Sequence, residues 1–413
     1  MNDFKQKLQE KEFLALKDKQ RVILKWATGC GKSKMTIELV NHQTQPLRSG
    51  KTLSRVLFVV AERAHINNWQ DEFDKWRLNT EVANVDMCCY ASLKKFATNS
   101  YDVVVLDEAH HCFSERRIAA LEELKNNLYP NAHIYLLSAT LPSGKQDMIE
   151  SIFGKFTTST VTLKDAIKED ILPDPKVYVI EMSLDNVKKH QEIKIGNDPN
   201  APIVKWEDKA RYVYKNIPCI IQCTESQKNQ FLTQKVEYWK DRYLLSHQEF
   251  QRVKAANYGS QRKRFLGELK TAAVRQLLTI LGNRRCVCFC ASVAQAESLS
   301  TANTVSSKRS QKANQMIIDA FNKKKLNSIY AVGMITEGMN LSDIQAGIII
   351  QLDGKERLFI QKFGRSLRAE DPITFIFYYK DTQDERYLNI ALENIDPKYV
   401  QRMDVSQLNS IKL

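Results

Sequence analysis

The chain has 413 residues, 43% hydrophobic and 26% charged, with a formal net charge of +13 and a pI near 9.1. That length exceeds one ordinary core and predicts two or three domains of a soluble globular protein. No apolar run reaches membrane-span length and Met1–Gln20 is charged throughout, so a membrane protein, or one secreted through an apolar signal, is not expected.

The positive balance points to a polyanionic partner, nucleic acid before membrane. It is uneven, because residues 201–280 hold 15 Lys/Arg against 7 Asp/Glu. The nine cysteines are an odd number lying mostly in apolar runs, which predicts reduced thiols and a cytoplasmic compartment. Cys286, Cys288 and Cys290 alternate along a predicted strand and share one face, without the paired spacing of a zinc site.

In chain order, the β-prone run Arg21–Trp26 leads into Ala27-Thr28-Gly29-Cys30-Gly31-Lys32-Ser33, and a helix-compatible run, Met35–Val40, follows. Strand, glycine turn, Lys-Ser and helix make a phosphate-cradling loop. Backbone N–H groups must converge on a phosphate, and glycine lets the chain turn tightly without a Cβ clash. The helix N-terminus adds partial positive charge. Lys32 is placed to reach the outer phosphates and Ser33 to ligate Mg²⁺. The bland alternative is a glycine turn that only reverses the chain, since Trp26 stands where the full pattern has its first glycine.

Five strand-like runs precede residue 140: Val22–Leu24, Val56–Val60, Val85–Tyr90, Val103–Leu106 and Ile134–Leu137. Helical stretches such as Ile66–Trp76 and Ile118–Leu128 lie between several of them, which predicts a parallel sheet covered on both faces. The run Val103–Leu106 ends in Asp107-Glu108-Ala109-His110. Ligands of open α/β sheets bind at the carboxyl ends of strands, and adjacent carboxylates there are costly unless a metal or substrate uses them. Asp107 is the candidate Mg²⁺ ligand and Glu108 the candidate base for an attacking water, against an acidic helix cap as the structural alternative. The next strand ends in Ser138-Ala139-Thr140, whose hydroxyls could hydrogen-bond the acidic segment and sense the nucleotide.

These three stretches, in this order and spacing, resemble motifs I, II and III of the superfamily 2 helicases and translocases. A bulky residue before Ala-Thr-Gly-x-Gly-Lys is similar to the variant in restriction-enzyme motor subunits and phage helicases. Val60-Ala61-Glu62-Arg63 through Trp69 resembles motif Ia, which implies that Arg63 lies near a nucleic-acid backbone. Tyr90–Leu93 resembles the segment after it.

Beyond Thr140, Leu163–Pro175 reads as a connector, Val177–Met182 as a strand and residues 185–205 as a polar surface excursion. From Cys219 to Tyr258 there is neither Gly nor Pro. Thr224 and Gln227 form a predicted capping box, Gly259 a stop, and Leu232, Val236, Trp239, Tyr243, Ser246, Phe250, Val253 and Asn257 a 4-3 stripe. Together they predict one helix over 225–257, about 50 Å long. Its stripe packs on a lobe or partner helix, or its exposed face, with Lys228, Lys235, Lys240, Arg242, Arg252 and Lys254, lies along phosphates; both can hold for different faces. Arg262-Lys263-Arg264 adds a basic cluster and candidate nucleic-acid contact.

A second alternating region has strand candidates Arg285–Cys290, Ser328–Val332, Gly347–Leu352 and Thr374–Tyr379, with helices Ala294–Leu299 and Gln311–Asn322. Cys286–Glu297 resembles motif IV. Thr336-Glu337-Gly338-Met339-Asn340-Leu341 resembles motif V, where Gly338 would allow close backbone approach and Thr336 and Asn340 offer polar groups to nucleic acid or the other lobe. Gln361-Lys362-Phe363-Gly364-Arg365-Ser366-Leu367-Arg368 resembles motif VI, which implies catalytic roles for Gln361, Arg365 and Arg368. Arginines at i and i+3 share a helix face and suit the γ-phosphate of ATP on the opposite lobe.

The expected architecture is α/β: two RecA-like parallel-sheet lobes in tandem with a mainly helical basic insertion. Residues 1–160 form the first lobe, 161–265 the connector and insertion, and 266–413 the second lobe together with strand 177–182. The resemblance implies ATP and Mg²⁺ as cofactors. Thr28, Gly29, Cys30, Gly31, Lys32 and Ser33 bind the nucleotide, and His110, Ser138, Thr140, Gly338 and Asn340 couple the lobes. There is no convincing Phe-x₂-Pro-x₃-Gln before the loop, although Gln6 or Gln9 could contact adenine. Gln-x-x-Gly-Arg-Ser-Leu-Arg departs from the DEAH-type RNA helicase pattern and favours DNA. The short remainder after Arg368 leaves no room for a further large domain. The expected protein is a monomeric ATP-dependent DNA helicase or translocase. An RNA remodeller and a non-catalytic ATP-gated clamp are the rivals.

Overall fold

The computed structural model describes residues 3–44, 53–139, 141, 143–333, 341–352, 354, 363, 371–393 and 395–411. A helix, Asp3–Leu16, precedes the first sheet. That sheet comprises β1 (Arg21–Trp26), β2 (Ser54–Val60), β3 (Ala83–Cys89), β4 (Val103–Leu106), β5 (His133–Leu137) and β6 (Thr157–Val161). It is wholly parallel, in the order β3-β2-β4-β5-β1-β6.

Alternation along each strand divides the apolar residues between two cores. Val22, Leu24, Trp26, Val56, Phe58, Val103 and Val105 enter one, and Ile23, Leu57, Val59, Val104 and Leu106 the other. Helices cover both faces, as strand runs this uniformly apolar require. Burying each such side chain is worth about 1.5–3 kcal/mol, so β4, buried along its whole length, fixes the middle of the sheet.

The second sheet contains β7 (Lys176–Met182), β11 (Cys286–Cys290), β12 (Thr304–Val305), β13 (Ser328–Val332), β14 (Ala346–Ile349), β15 (Ile373–Tyr379) and β16 (Val400–Asp404). It too is parallel, in the order β12-β13-β11-β14-β15-β7-β16. β7, far upstream in sequence, is inserted between β15 and β16. Cys286, Cys288 and Cys290 face one core while Val287 and Phe289 face the other. All nine cysteines are free thiols.

The insertion interrupts the second sheet's chain, between β7 and β11. The stretch read as a surface excursion supplies β8 (Gln191–Ile195) and β9 (Ile203–Lys205), which flank β10 (Cys219–Cys223) in a separate three-stranded sheet. The single helix expected over 225–257 is not what forms. Glu225–Ser246 and Glu249–Leu269 are two helices that pack antiparallel, with Trp239 against Phe250 and Arg262 Nη1 donating to Thr233 Oγ1 at 2.9 Å. The break is His247, in the left-handed region at φ 53°, whose N–H returns to Tyr243 O at 2.7 Å.

A straight helix would leave the stripe from Trp239 to Phe250 in water, whereas folding back lets it pack against its own continuation. The Thr224–Gln227 capping box is present at the start. Gly259 stops nothing, because it lies inside the second helix. At its base the hairpin buries Phe231, Leu232, Phe265 and Leu266 against Ile193, Val204 and Ile221 of the small sheet.

Candidate nucleotide site

The loop after β1 takes the conformation its glycines permit. Gly29 and Gly31 both have φ 94°, where a Cβ is strained, and Gly31 is the N-cap of the helix Lys32–Gln43. A Cβ at Gly31 would come within 2.0 Å of Gln9 Nε2. The loop is thus a close-fitting turn that presents backbone N–H groups at a helix N-terminus, the arrangement that cradles phosphates. Lys32 Nζ donates to Trp26 O at 2.7 Å and to Ala27 O at 3.4 Å, which holds its charge beside the loop. Cys30 is fully buried, and burial pushes its thiol up to about 11 against the pull of Lys32 and Lys5, so it is an inert member of the turn.

Trp26, in the place of a glycine, is the last residue of β1. It is fully buried, with Nε1 donating to Ser159 Oγ at 2.7 Å, and Ser159 donates in turn to Glu12 at 2.6 Å. The indole ties the loop's leading strand to β6 and to the first helix. That helix also reaches the loop directly. Lys5 Nζ donates to Gly29 O, Gln9 Nε2 lies 3.4 Å from Gly31 O, and Lys34 Nζ donates to Gln9 Oε1 at 3.0 Å. Gln9, 1% exposed, braces the phosphate loop, whereas the amide of Gln6 bonds Glu10 on the outer face.

Asp107 and Glu108 follow β4. β5 lies between β4 and β1, so Ser138 at its end stands between the acidic pair and the loop. Ser138 is buried, and its N–H donates to Leu24 O at 3.2 Å. Asp107 is held on three sides. Trp69 Nε1 donates to Oδ2 at 2.8 Å, the Glu108 N–H to Oδ1 at 2.9 Å, and Tyr90 Oη to the backbone carbonyl at 2.8 Å. Each carboxylate oxygen keeps a further lone pair.

Glu108 has φ 46°, a left-handed conformation that costs about 1–2 kcal/mol outside glycine. Strain of this kind gathers at functional sites. The short turn Ala109–His111 that follows has no side-chain cap, so the carboxylates do not serve as a helix cap. Glu108 Oε2 lies 3.3 Å from His110 Nδ1, and the His110 and His111 rings meet tilted at 40° with centroids 4.3 Å apart. Burial, first of all, and the neighbouring Cys112 raise the Tyr90 phenol well above its ordinary range, which keeps it a neutral donor.

Sequence reasoning placed Trp69 and Tyr90 in motif-like segments without seeing that both clamp Asp107, and it missed the bracing by Lys5 and Lys34. A hydrogen-bonding aromatic has no spacing signature, so no local signal would have found them. The hard oxygen donors of Ser33 and Asp107 suit Mg²⁺. Arg63 opens the helix Arg63–Trp76 with an exposed side chain. Of the basic cluster, Arg264 is exposed and Lys263 half-buried, but Arg262 is buried on Thr233. Arg262 therefore holds the hairpin together, and the structure does not offer it as a nucleic-acid contact. Thr140, Thr336, Gly338, Asn340, Gln361, Arg365 and Arg368 lie outside the described residues.

Two parallel α/β sheets, the first carrying a phosphate loop and an acidic pair at neighbouring strand ends, define the class of two-lobe nucleoside-triphosphate machines. The type III restriction enzyme res subunit family matches residues 1–143, and the helicase conserved C-terminal domain matches residues 269–370. The fold is similar to that of S. cerevisiae Dbp5 bound to RNA and ADP BeF3, with a TM-score of 0.62 and 10% identity over 98% of this chain and 91% of that one. It is also similar to the Pyrococcus furiosus Hef helicase domain, with a TM-score of 0.52 and 12% identity over 92% of this chain and 96% of that one. No curated protein matches by sequence. The chain belongs to the superfamily 2 helicases, and its helicase domains make it a nucleotide-hydrolysing protein.

Proposed function

We propose that the protein is a DNA-dependent ATPase that moves along or remodels DNA, acting as a cytoplasmic monomer. The observation that carries the nucleotide chemistry is the loop of Gly29, Gly31 and Lys32 in the same sheet as the clamped Asp107 and the strained Glu108. In this reading Thr28 to Ser33 hold the phosphates and Lys32 neutralises the outer ones. Ser33 and Asp107 hold Mg²⁺, which when bound offsets phosphate charge. Glu108 accepts a proton from the attacking water, and His110, Ser138 and Thr140 relay the nucleotide state. Arg365 and Arg368, with Gln361, act on the same phosphates from the second lobe, while Thr336, Gly338, Asn340 and the exposed Arg63 contact nucleic acid or the facing lobe.

DNA is favoured over RNA by the form of residues 361–368, and the basic residues of 201–280 favour a polyanion. Dbp5 is described with RNA, so RNA is the competing substrate. The test is ATP turnover with single-stranded DNA, with RNA and with neither. The expected result is stronger stimulation by DNA, abolished in Lys32→Ala by at least about 10²-fold. Normal hydrolysis by Lys32→Ala would refute the site, and greater stimulation by RNA would refute the substrate.

A further inference from the structure

The helix Arg63–Trp76 touches both halves of the nucleotide site. It follows β2, the sheet neighbour of the strand that ends at Asp107. Trp69 and Phe73 pack on Phe58 of β2, each with ring centroids 4.9 Å from it. Trp69 is 5% exposed, and its Nε1 donates to Asp107 Oδ2 at 2.8 Å. Two turns further on, Trp76 lies beneath Lys34, whose Nζ is 5.4 Å from the ring centroid. Lys34 belongs to the helix that starts at the phosphate loop, and the same ammonium donates to Gln9, which braces Gly31.

Both contacts bear on charge at the site. The indole N–H on one oxygen and the Glu108 N–H on the other fix the plane of the Asp107 carboxylate, and with it the direction of the lone pairs left for a metal. Lys34 is shared between the Trp76 face, Gln9 and Glu38, whose Oε1 is 3.4 Å away, so a shift of the helix redistributes an ammonium beside the loop. The packed rings of Phe58, Trp69 and Phe73 oppose bending at Trp69, so the helix shifts as one body. Its first residue, Arg63, is exposed and lies six residues, about 9 Å along the axis, from Trp69.

We propose that this helix is the link through which bound nucleic acid sets the metal ligand, with Trp69 and Trp76 as its positioning residues. A nucleic-acid phosphate held at Arg63 shifts the helix. Trp69 then re-aims the Asp107 carboxylate, and Trp76 moves Lys34 against the brace of the phosphate loop. Both tryptophans act through another residue. The inference rests on the nucleic-acid motor reading and assigns the side chains that carry stimulation from the strand to the nucleotide.

The test uses the full chain with single-stranded DNA, or with RNA if RNA is what stimulates the parent. Trp69→Phe keeps a ring against Phe58 and Phe73 and removes the N–H. Trp76→Leu, at a half-buried position, removes the face beneath Lys34, and thermal unfolding checks both folds. A purely structural role lowers turnover with and without nucleic acid alike, whereas loss of the link lowers their ratio. The ratio should fall by about fivefold or more in Trp69→Phe and by a smaller factor in Trp76→Leu. A second readout needs no turnover. With no nucleotide present, nucleic acid should change the part of the parent's indole emission that Trp69→Phe lacks. A stimulation ratio unchanged in Trp69→Phe overturns the link, as does a flat difference emission while labelled nucleic acid binds. If Trp69→Phe does not fold, an unchanged ratio in Trp76→Leu overturns it instead. A parent whose turnover ignores DNA and RNA alike sinks the motor reading, and the link with it.

Discussion

Around the phosphate loop, function depends on particular residue types at particular positions. Gly29 and Gly31 supply φ 94°, Lys32 a long cation, and Asp107 a carboxylate at a strand end. In the helical arm, the same chain meets its needs with apolar residues at helical spacing and cations almost anywhere outside. The first region tolerates few alternatives and the second many. Substitutions should therefore have sharp, chemically specific effects in the loop and its partners, and graded effects in the arm.

The largest effect extends the first region across the lobes. If Arg368 completes the nucleotide site, Arg368→Ala should lower DNA-stimulated turnover by on the order of 10³-fold while a fluorescent ATP analogue still binds in equilibrium titration. Turnover within a fewfold of the parent would confine the site to the first sheet and remove the second lobe's role in hydrolysis.

This contrast also explains what the sequence made legible. The glycines, Lys32 and the acidic pair could be read because each is nearly irreplaceable in its backbone role. β4 and the alternating cysteines of β11 could be read because a strand buried on both faces admits little but apolar residues. The hairpin was not legible. Its turn residue, His247, is a weak left-handed former with no glycine to announce it, and a 4-3 stripe looks the same whether it meets another element or its own continuation. β6, with the sequence Thr157-Thr-Ser-Thr-Val161, has only two buried residues, and β16 only one, so neither carried an apolar run to read. The clamps on Asp107 by Trp69 and Tyr90 join residues 38 and 17 positions away, a pairing that only the folded sheet creates.

The next effect falls where the arm joins the second sheet. Lys270, the residue after the hairpin, is fully buried. Its Nζ donates to Ile350 O at 2.9 Å and pairs with the equally buried Asp384. Lys270→Met strands a buried carboxylate and should cost about 3–5 kcal/mol in urea denaturation. Lys270→Met with Asp384→Leu should recover most of that loss, because well-packed apolar replacements of a buried pair are often neutral. A single variant as stable as the parent would show that the arm's base is held by its apolar core alone.

The smallest effect is the most direct comparison, one substitution made in both regions. Gly31→Ala places a Cβ at φ 94° and 2.0 Å from Gln9 Nε2, so both the strain and the contact oppose it. It should cost about 1–2 kcal/mol of stability from the backbone conformation and weaken ATP binding, since loop and brace must shift together. Gly259→Ala, inside the second hairpin helix, meets nothing within 4 Å. There alanine only restricts the unfolded chain and improves helix propensity, so it should stabilise the protein by about 0.5–1 kcal/mol and leave ATP binding unchanged. Thermal unfolding and nucleotide titration of the two variants side by side read both signs. Stabilisation at both positions would mean that the phosphate loop relaxes as readily as a helix surface, and the distinction between the two regions would fail.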